Sequence, residues 1–291
     1  MQPDILIQTL INGVFTGGIY ALVSIGLTLI YGVMLIINFA HGEFLMIGAY
    51  ITATVFLVTG FNPYVLILVS MLALIAIGAV VERLCFRPIL GTSKLNEIFL
   101  SIGLIYIFTN GAAMIWGDEW QSVKSPYSGI TVPIGSLTVP LDYIIIIITT
   151  AAILCGLYVF LKKTKTGREM RATSQNRKGA MLVGINVERM DILSFGIGCA
   201  LAAAAGTLWV VSGQVFNPYM GSIPAVKAFA IIILGGLGSI PGAIIGGLLY
   251  GIAENGAAYF LGGVWKDAIS FIILIIVLVF RPTGLFGEEG E

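Results

Sequence analysis

Charged residues are scarce in this chain, and their scarcity decides its broad class. Only 10% of the 291 residues are Asp, Glu, Lys or Arg, whereas 58% are hydrophobic. Soluble domains carry roughly 25% charged residues, so this chain lacks the polar surface that a water-soluble globule needs. The formal net charge is zero, which gives no basis for binding to nucleic acid. The composition therefore predicts an integral membrane protein.

The usual sequence signals of nucleotide and metal sites are also missing. The chain has no G-x-x-x-x-G-K-[ST] phosphate loop, and its three cysteines (Cys85, Cys155 and Cys199) are far apart and lie in or beside apolar runs. We therefore expect no catalytic residue, no metal site and no cofactor in this chain. A signal peptide needs a basic n-region, whereas the first 82 residues contain no Lys or Arg, so the first apolar run is predicted to be a retained span.

Apolar runs of about the length that crosses a bilayer as a helix, roughly 20 residues, recur along the whole chain. They predict an all-α integral membrane protein, a polytopic bundle of about eight (eight to nine) transmembrane helices with discontinuous segments. We expect residues 1–291 to form a single transmembrane domain. The predicted spans are residues 7–30, 31–58, 63–81, 97–116, 141–161 and 192–212, a broken region 225–260, and residues 264–280.

One basic loop predicts the orientation. Residues 162–189 carry eight of the fifteen Lys and Arg residues but only two acids. Basic loops are retained on the cytoplasmic side of a membrane, so the loop 162–191 is predicted to be cytoplasmic and the N-terminus to lie outside. If the region 225–260 breaks into two passes, the C-terminus is cytoplasmic; if it is one span, the C-terminus is outside. The break is preferred here.

Glycine is concentrated where that break is predicted. The segment combines backbone freedom with a proline that lacks an N–H group; its key residues are Gly235, Gly236, Gly238 and Pro241. Two interpretations stay open. The glycines pack helices closely, as the pair Gly242 and Gly246 suggests, or they unwind the backbone along a translocation path.

A second interruption, at residues 32–43, places Asn38, His41 and Glu43 in an otherwise uncharged stretch. One interpretation is a short polar turn between two spans, wet at the cytoplasmic interface. The other is a helix break beside a translocation path, because ionisable residues in membrane segments usually face a wet cavity or the bundle interior. His41 and Glu43 are two residues apart and do not share a helix face, which argues against a helical zinc site.

The basic loop itself contains signals for short helices. Asn176 is a plausible N-cap and Gly184 a plausible C′ residue for a helix over residues 177–183, and a turn over residues 168–172 precedes it. The predicted apolar knob and its basic flank comprise Ala180, Met181, Val183, Arg177 and Lys178. Such a helix suits either a groove on a partner protein or an interface with anionic lipid.

Five motifs in order resemble one family. They are NFAHGE at 38–43, TGREMRA at 166–172, VGIN at 183–186, GGLGSIPGAIIGG at 235–247 and RPTGLFG at 281–287. Together they resemble the permease subunits of bacterial and archaeal branched-chain amino acid ABC importers, and the H-type subunit most of all. The resemblance covers about residues 12–287. It implies a multi-pass protein of the plasma (inner) membrane; members also carry urea, short amides or other amino acids.

The resemblance also implies partners. A second related permease, two cytoplasmic ABC ATPases that bind ATP, and an external substrate-binding protein would complete the importer. A permease loop of this family docks in a groove of the ATPase. The matching positions here are Gly167, Arg168, Arg171, Ala172 and Gly184, with Met181 as part of the knob.

The expected mechanism is alternating access. A loaded binding protein would dock on the outer loops 117–140 and 213–223, and closure of the ATPases would move the spans. None of the spans offers a strong charge, so we expect a mostly uncharged path. The alternatives are an ion-coupled secondary transporter, a channel for small neutral solutes, and a membrane enzyme that uses His41 and Glu43.

Overall fold

The computed structural model describes residues 3–135, 137–281 and 283–286. Met1 and Gln2 lie outside the described residues, as do Pro282 and Gly287 of the C-terminal motif. The elements are α1 (Pro3–Met34), α2 (His41–Thr59), α3 (Pro63–Val81), α4 (Lys94–Trp116), β1 (Thr131–Ile134), β2 (Leu137–Pro140), α5 (Leu141–Lys163), α6 (Lys165–Gln175), α7 (Arg177–Leu182), α8 (Val187–Val211), α9 (Ser222–Gly235), α10 (Ile240–Leu261) and α11 (Trp265–Phe280).

The predicted helical membrane bundle is confirmed. Among the described residues, seven helices are long and apolar enough to cross a membrane. Two shorter apolar helices, α9 with 14 residues and α11 with 16, complete the bundle. The predicted boundary between the first two spans is wrong, because α1 continues to Met34 and α2 begins only at His41.

The centre of the bundle is built from α1 and α8, which are buried along most of their length. Small residues let α10 run close beside α1: a Cβ on Gly17 would lie only 2.8 Å from the carbonyl oxygen of Gly247. Gly251 and Gly13 continue this seam. Close backbone approach through small residues is how membrane helices gain packing energy.

One end of the bundle, which we call the basic end, gathers the loop between α5 and α8. Arg177 reaches the carbonyl oxygen of Val33 at 3.1 Å, and Lys94 reaches that of Leu35 at 2.6 Å. The turn between α9 and α10 lies at the same end, because Gly238 lies beside Gly32. Leu285 N donates to Leu234 O, in the last turn of α9, at 2.7 Å. The residues 283–286 therefore end beside the basic loop.

The opposite end, which we call the hairpin end, carries the antiparallel pair β1–β2. Asn62 donates to the Tyr127 hydroxyl at 3.3 Å, and Gln121 forms an isolated bridge with Phe216. The α1 helix starts here, since Phe15 stacks on Tyr143 in the first turn of α5 with ring centroids 4.0 Å apart. The region 225–260 is interrupted, as predicted: α9 and α10 form an antiparallel pair in which Gly235 lies against Gly242 and Gly246 against Ile231.

Candidate functional site

Helix α6 is fastened to the end of α5. The Thr164 hydroxyl accepts a hydrogen bond from Gly167 N at 3.0 Å and caps the helix. Gly167 is buried against the Phe160 carbonyl oxygen, where a Cβ would collide. Arg171 Nε donates to Leu161 O at 3.1 Å and satisfies a terminal carbonyl of α5. The predicted turn over residues 168–172 is therefore an eleven-residue helix, with Arg168 exposed and Ala172 half-buried.

Helix α7 forms an exposed apolar tip. The predicted cap is confirmed: Gly179 N donates to Asn176 Oδ1 at 2.8 Å, and Gly184 has a φ of +83° just after the helix ends. The predicted knob needs one correction, because Ala180 is buried and packs inward. The tip consists instead of Met181, Leu182 and Val183, which are 53%, 89% and 77% exposed.

The prediction that Arg177 belongs to a basic flank of the tip is wrong, because its side chain turns toward the bundle. Its guanidinium forms two hydrogen bonds to the buried Asp191 carboxylate, at 2.7 and 2.6 Å, and a third to Val33 O. The bonds to Asp191 raise the pKa of Arg177 above its ordinary value. The base of the tip is thus tied to the end of α1 and the start of α8. The sequence signal for Asp191 was an acid immediately before the apolar run at 192–212.

The break at residues 35–40 turns back into the bundle. Leu35 has a φ of +58°, and Asn38 Oδ1 accepts from Ala40 N at 3.1 Å in a turn that starts α2. His41 Nε2 donates to Val23 O at 3.1 Å. Val23 lies roughly 16 Å along α1 from its end at Met34, by the 1.5 Å rise per residue. The N-terminus of α2 therefore lies well inside the bundle.

The wet interfacial turn expected for this segment is wrong. Asn38 and His41 are fully buried and Glu43 is 3% exposed, because the bundle closes around the break. Thr109 donates to Glu43 Oε2 at 3.1 Å, while Asn38 Nδ2 and His41 Nδ1 find no partner among the described residues. Buried polar atoms are usually hydrogen-bonded, so these two atoms mark the break as a candidate functional feature.

The N-terminus of α9 meets that of α2. A Cβ on Gly221 would lie 2.7 Å from Gly42 O and 2.8 Å from Glu43 Oε1. The Glu43 carboxyl group therefore faces the positive end of the α9 dipole, which stabilises negative charge. Residues 213–223 pair with the other loop of the hairpin end through the bridge between Phe216 and Gln121, and from there they lead inward to the buried Gly221. Sequence reasoning missed this convergence of two interrupted segments.

The glycine-rich break is a tight turn. Helix α9 ends at Gly235, Gly236 and Gly238 have φ values of +99° and +85°, and Pro241 lies in the first turn of α10. Gly235 packs directly on Gly242. The contact between Gly235 and Gly242 therefore favours close helix packing, one of the two open interpretations of these glycines.

The expectation of uncharged spans is wrong at one point. Lys227 in α9 lies 2.9 Å from Glu254 Oε1 in α10, and their side chains are 7% and 0% exposed. Asp267 in α11 lies 2.9 Å from the same ammonium group, and the Tyr20 hydroxyl lies 3.2 Å from it. Lys227 was overlooked because it lies within an apolar run, and its partner is 27 residues away.

Interrupted helices whose N-termini meet inside an apolar bundle, with ionisable side chains buried near them, define a multi-pass membrane transport protein. The chain belongs to a known family of this class: the family described as the permease component of branched-chain amino acid transport systems matches residues 9–278.

Two curated relatives extend this result. The chain is 36% identical to the high-affinity branched-chain amino acid transport permease BraD of Pseudomonas aeruginosa, covering 99% of this chain and 98% of BraD. It is also 36% identical to LivH of Escherichia coli K12, covering 97% and 96%. The solved structure of PsaBC from Streptococcus pneumoniae in complex with Fab has the same fold, with a TM-score of 0.52, 11% identity and 94% and 92% coverage.

Proposed function

We propose that this chain is the permease subunit of an ATP-driven importer for branched-chain, hydrophobic amino acids. It would form the translocation path with a second related permease in the plasma (inner) membrane. Two cytoplasmic ATPases would bind the ATP, and an external binding protein would deliver the amino acid. The basic end is the cytoplasmic end in this proposal, and residues 3–15 start at the outer face.

The observation that carries the proposal is how the apolar tip of α7 is held. An exposed tip of Met181, Leu182 and Val183 is the kind of apolar surface that inserts into a protein groove. Arg177 ties its base to α1 and α8, while Arg171 ties α6 to α5. A force on the tip would therefore reach α1 and α8 through Arg177, and α5 by way of α6.

The same spans flank the buried break. His41 is bonded to α1 through Val23 O, and a Cβ on Gly26 of α1 would lie 2.9 Å from the His41 ring. Displacing α1 against α2 would therefore change this contact. Alternating access needs an element with two arrangements that an outside energy source biases, and we assign that role to the α1–α2 break.

Reconstitution of the chain with its partner subunits in proteoliposomes tests the proposal. Leucine uptake should require ATP on the side of the membrane that the basic end faces, the binding protein on the opposite side, and intact ATPases. The buried pair Lys227 and Glu254 favours one competing function, an ion-coupled transporter. Uptake by this chain alone under an ion gradient, or flux without ATP, would establish a different class and reject the importer.

A further inference from the structure

A cavity of about 250 Å³ opens where α9 and α11 begin. One wall is apolar and the other is charged; the lining residues are Ile223, Val226, Phe271, Lys227, Asp267 and Ser222. The apolar wall is accessible, since Ile223, Val226 and Phe271 are 56%, 44% and 52% exposed. The cavity is therefore open on the side that α9 and α11 share.

The charged wall holds an anion and a cation side by side. The Lys227 ammonium group lies 2.9 Å from Asp267 Oδ1 at the cavity and 2.9 Å from Glu254 Oε1 behind it. Lys266 lies 3.3 Å from the same Glu254 oxygen. Glu254 is fully buried and its Oε2 has no hydrogen-bond partner among the described residues, whereas the Asp267 side chain is 61% exposed. Asp267 is thus the member that a ligand can reach and displace.

A buried ion pair is a poor source of stability. Replacing such a pair by apolar residues of similar volume is often neutral or stabilising, so its presence here points to another role. Ionisable residues within membrane segments mark solute pathways. Ser222 at the cavity follows Gly221, which touches Gly42 and Glu43, so the cavity adjoins the meeting point of the α2 and α9 N-termini.

We propose that this cavity is a transient binding site for the transported amino acid; this inference rests on the function proposed above. Asp267 would receive the α-ammonium group and Lys227 the α-carboxylate. The ammonium and carboxylate groups of an α-amino acid are attached to the same carbon. A site that pairs with both therefore needs its own carboxylate and ammonium close together, as Asp267 and Lys227 are. The aliphatic side chain would lie against Ile223, Val226 and Phe271. Glu254 would neutralise the charge of Lys227 while Asp267 binds the ammonium group of the ligand.

The site predicts weak binding. The ligand must break the contact between Lys227 and Asp267 before it can form its own two contacts. Weak binding suits a path in which the solute must leave again, and selectivity for side-chain size would come from the apolar wall. One methylene group in an apolar pocket is worth about 10- to 200-fold in discrimination.

The test uses the complete importer in proteoliposomes with ATP. Asp267→Asn should lower leucine uptake about 10-fold at subsaturating leucine when equal amounts of assembled importer are compared, and Asp267→Glu should restore most of it. Phe271→Ala should shift the ratio of phenylalanine to valine uptake about 10-fold in favour of phenylalanine, because it enlarges the apolar wall. Phe280→Ala, an exposed aromatic on the same helix away from the cavity, should leave that ratio unchanged.

A binding readout without turnover completes the test. Val226→Cys, in a variant without the three native cysteines, should react with a thiol reagent more slowly when leucine is present. Equal labelling with and without leucine would overturn the site. So would wild-type uptake and selectivity in both Asp267→Asn and Phe271→Ala, and the importer function would then stand. If the wild-type assembly moves no amino acid with ATP, the proposed function itself is wrong.

Discussion

Arg177 and Asp191 are joined by two parallel hydrogen bonds of 2.7 and 2.6 Å between the base of the α7 tip and the N-terminal part of α8. Asp191 is 2% exposed, so the pair is shielded on its carboxylate side. Paired N–H donors hold a guanidinium in one orientation, which makes this contact stiff. The tip and α8 are therefore expected to move as one body.

Arg177→Met should separate ATP hydrolysis from uptake. The change leaves the Asp191 carboxylate buried without its partner. Removing one partner of a fully buried pair costs about 3–5 kcal/mol of folding stability, and the cost is smaller here because Arg177 is partly exposed. We expect ATP hydrolysis by the assembly to continue while leucine uptake falls about 10-fold. Lys178→Met, which removes the neighbouring exposed charge, is the control. Normal coupling in Arg177→Met would contradict the assigned role.

Leu182→Asp should weaken assembly with the ATPases. Leu182 is 89% exposed in this chain, so the substitution does not disturb its fold. A charge at the centre of an apolar contact is left desolvated and unpaired, which we expect to lower copurification of the ATPase subunits at least 10-fold. Membrane insertion should stay normal by a protease-protection assay. Full recovery of the ATPases from this variant would place the docking surface elsewhere.

Gly221→Ala should impair folding or transport, because its methyl group would overlap Gly42 O and the Glu43 carboxyl group. A shift of α9 away from α2 would be needed to relieve the overlap, and we expect uptake to fall below one-tenth of wild type. Gly103→Ala in α4 is the matched control, as its Cβ meets no atom within 4 Å. That variant should retain full thermal stability in detergent. Similar melting and uptake in both variants would argue against close contact of the two helix N-termini.

His41→Gln and His41→Phe separate the hydrogen bond to Val23 O from the packing role of the ring. The amide of Gln keeps a donor, whereas Phe keeps a ring without one. We expect uptake to survive better in His41→Gln than in His41→Phe by several-fold. The comparison is made at equal amounts of folded protein, measured by size-exclusion chromatography. Equal uptake in both would leave the bond without a role in transport.

Cysteines at positions 124 and 174 test which end faces the cytoplasm. Lys124 lies in the loop at the hairpin end and Ser174 lies in α6 at the basic end. A membrane-impermeant thiol reagent should label position 124 in intact cells and position 174 only in inverted vesicles. Loops rich in Lys and Arg are retained inside, which gives this direction. The reverse labelling pattern would overturn the proposed orientation.

Local features of the fold could be predicted from the sequence. The length of apolar runs predicted the spans, and the third run matches α3, Pro63–Val81, at both ends. Asn176 and Gly184 act through their immediate neighbours in the chain, so the cap and the end of α7 were visible before the structure.

Features that depend on distant residues could not be predicted. Arg177 and Asp191 are 14 residues apart and Lys227 and Glu254 are 27, with turns between them that no hydrophobic pattern describes. The depth of His41 was equally hidden, since a polar turn and a re-entrant break have the same composition. Periodicity reports which residues avoid water; it carries no information on which two charges face each other.

The backbone bonds from Leu285 and Phe286 to Leu234 O and Gly235 O have a practical consequence. They satisfy carbonyl groups at the end of α9, which would otherwise be left without donors. A truncation before Leu285 would loosen a turn about fifty positions earlier in the chain. The last described residues thus act as a brace for the α9–α10 turn, and a substitution by proline at position 285, which removes the N–H donor, should weaken that turn.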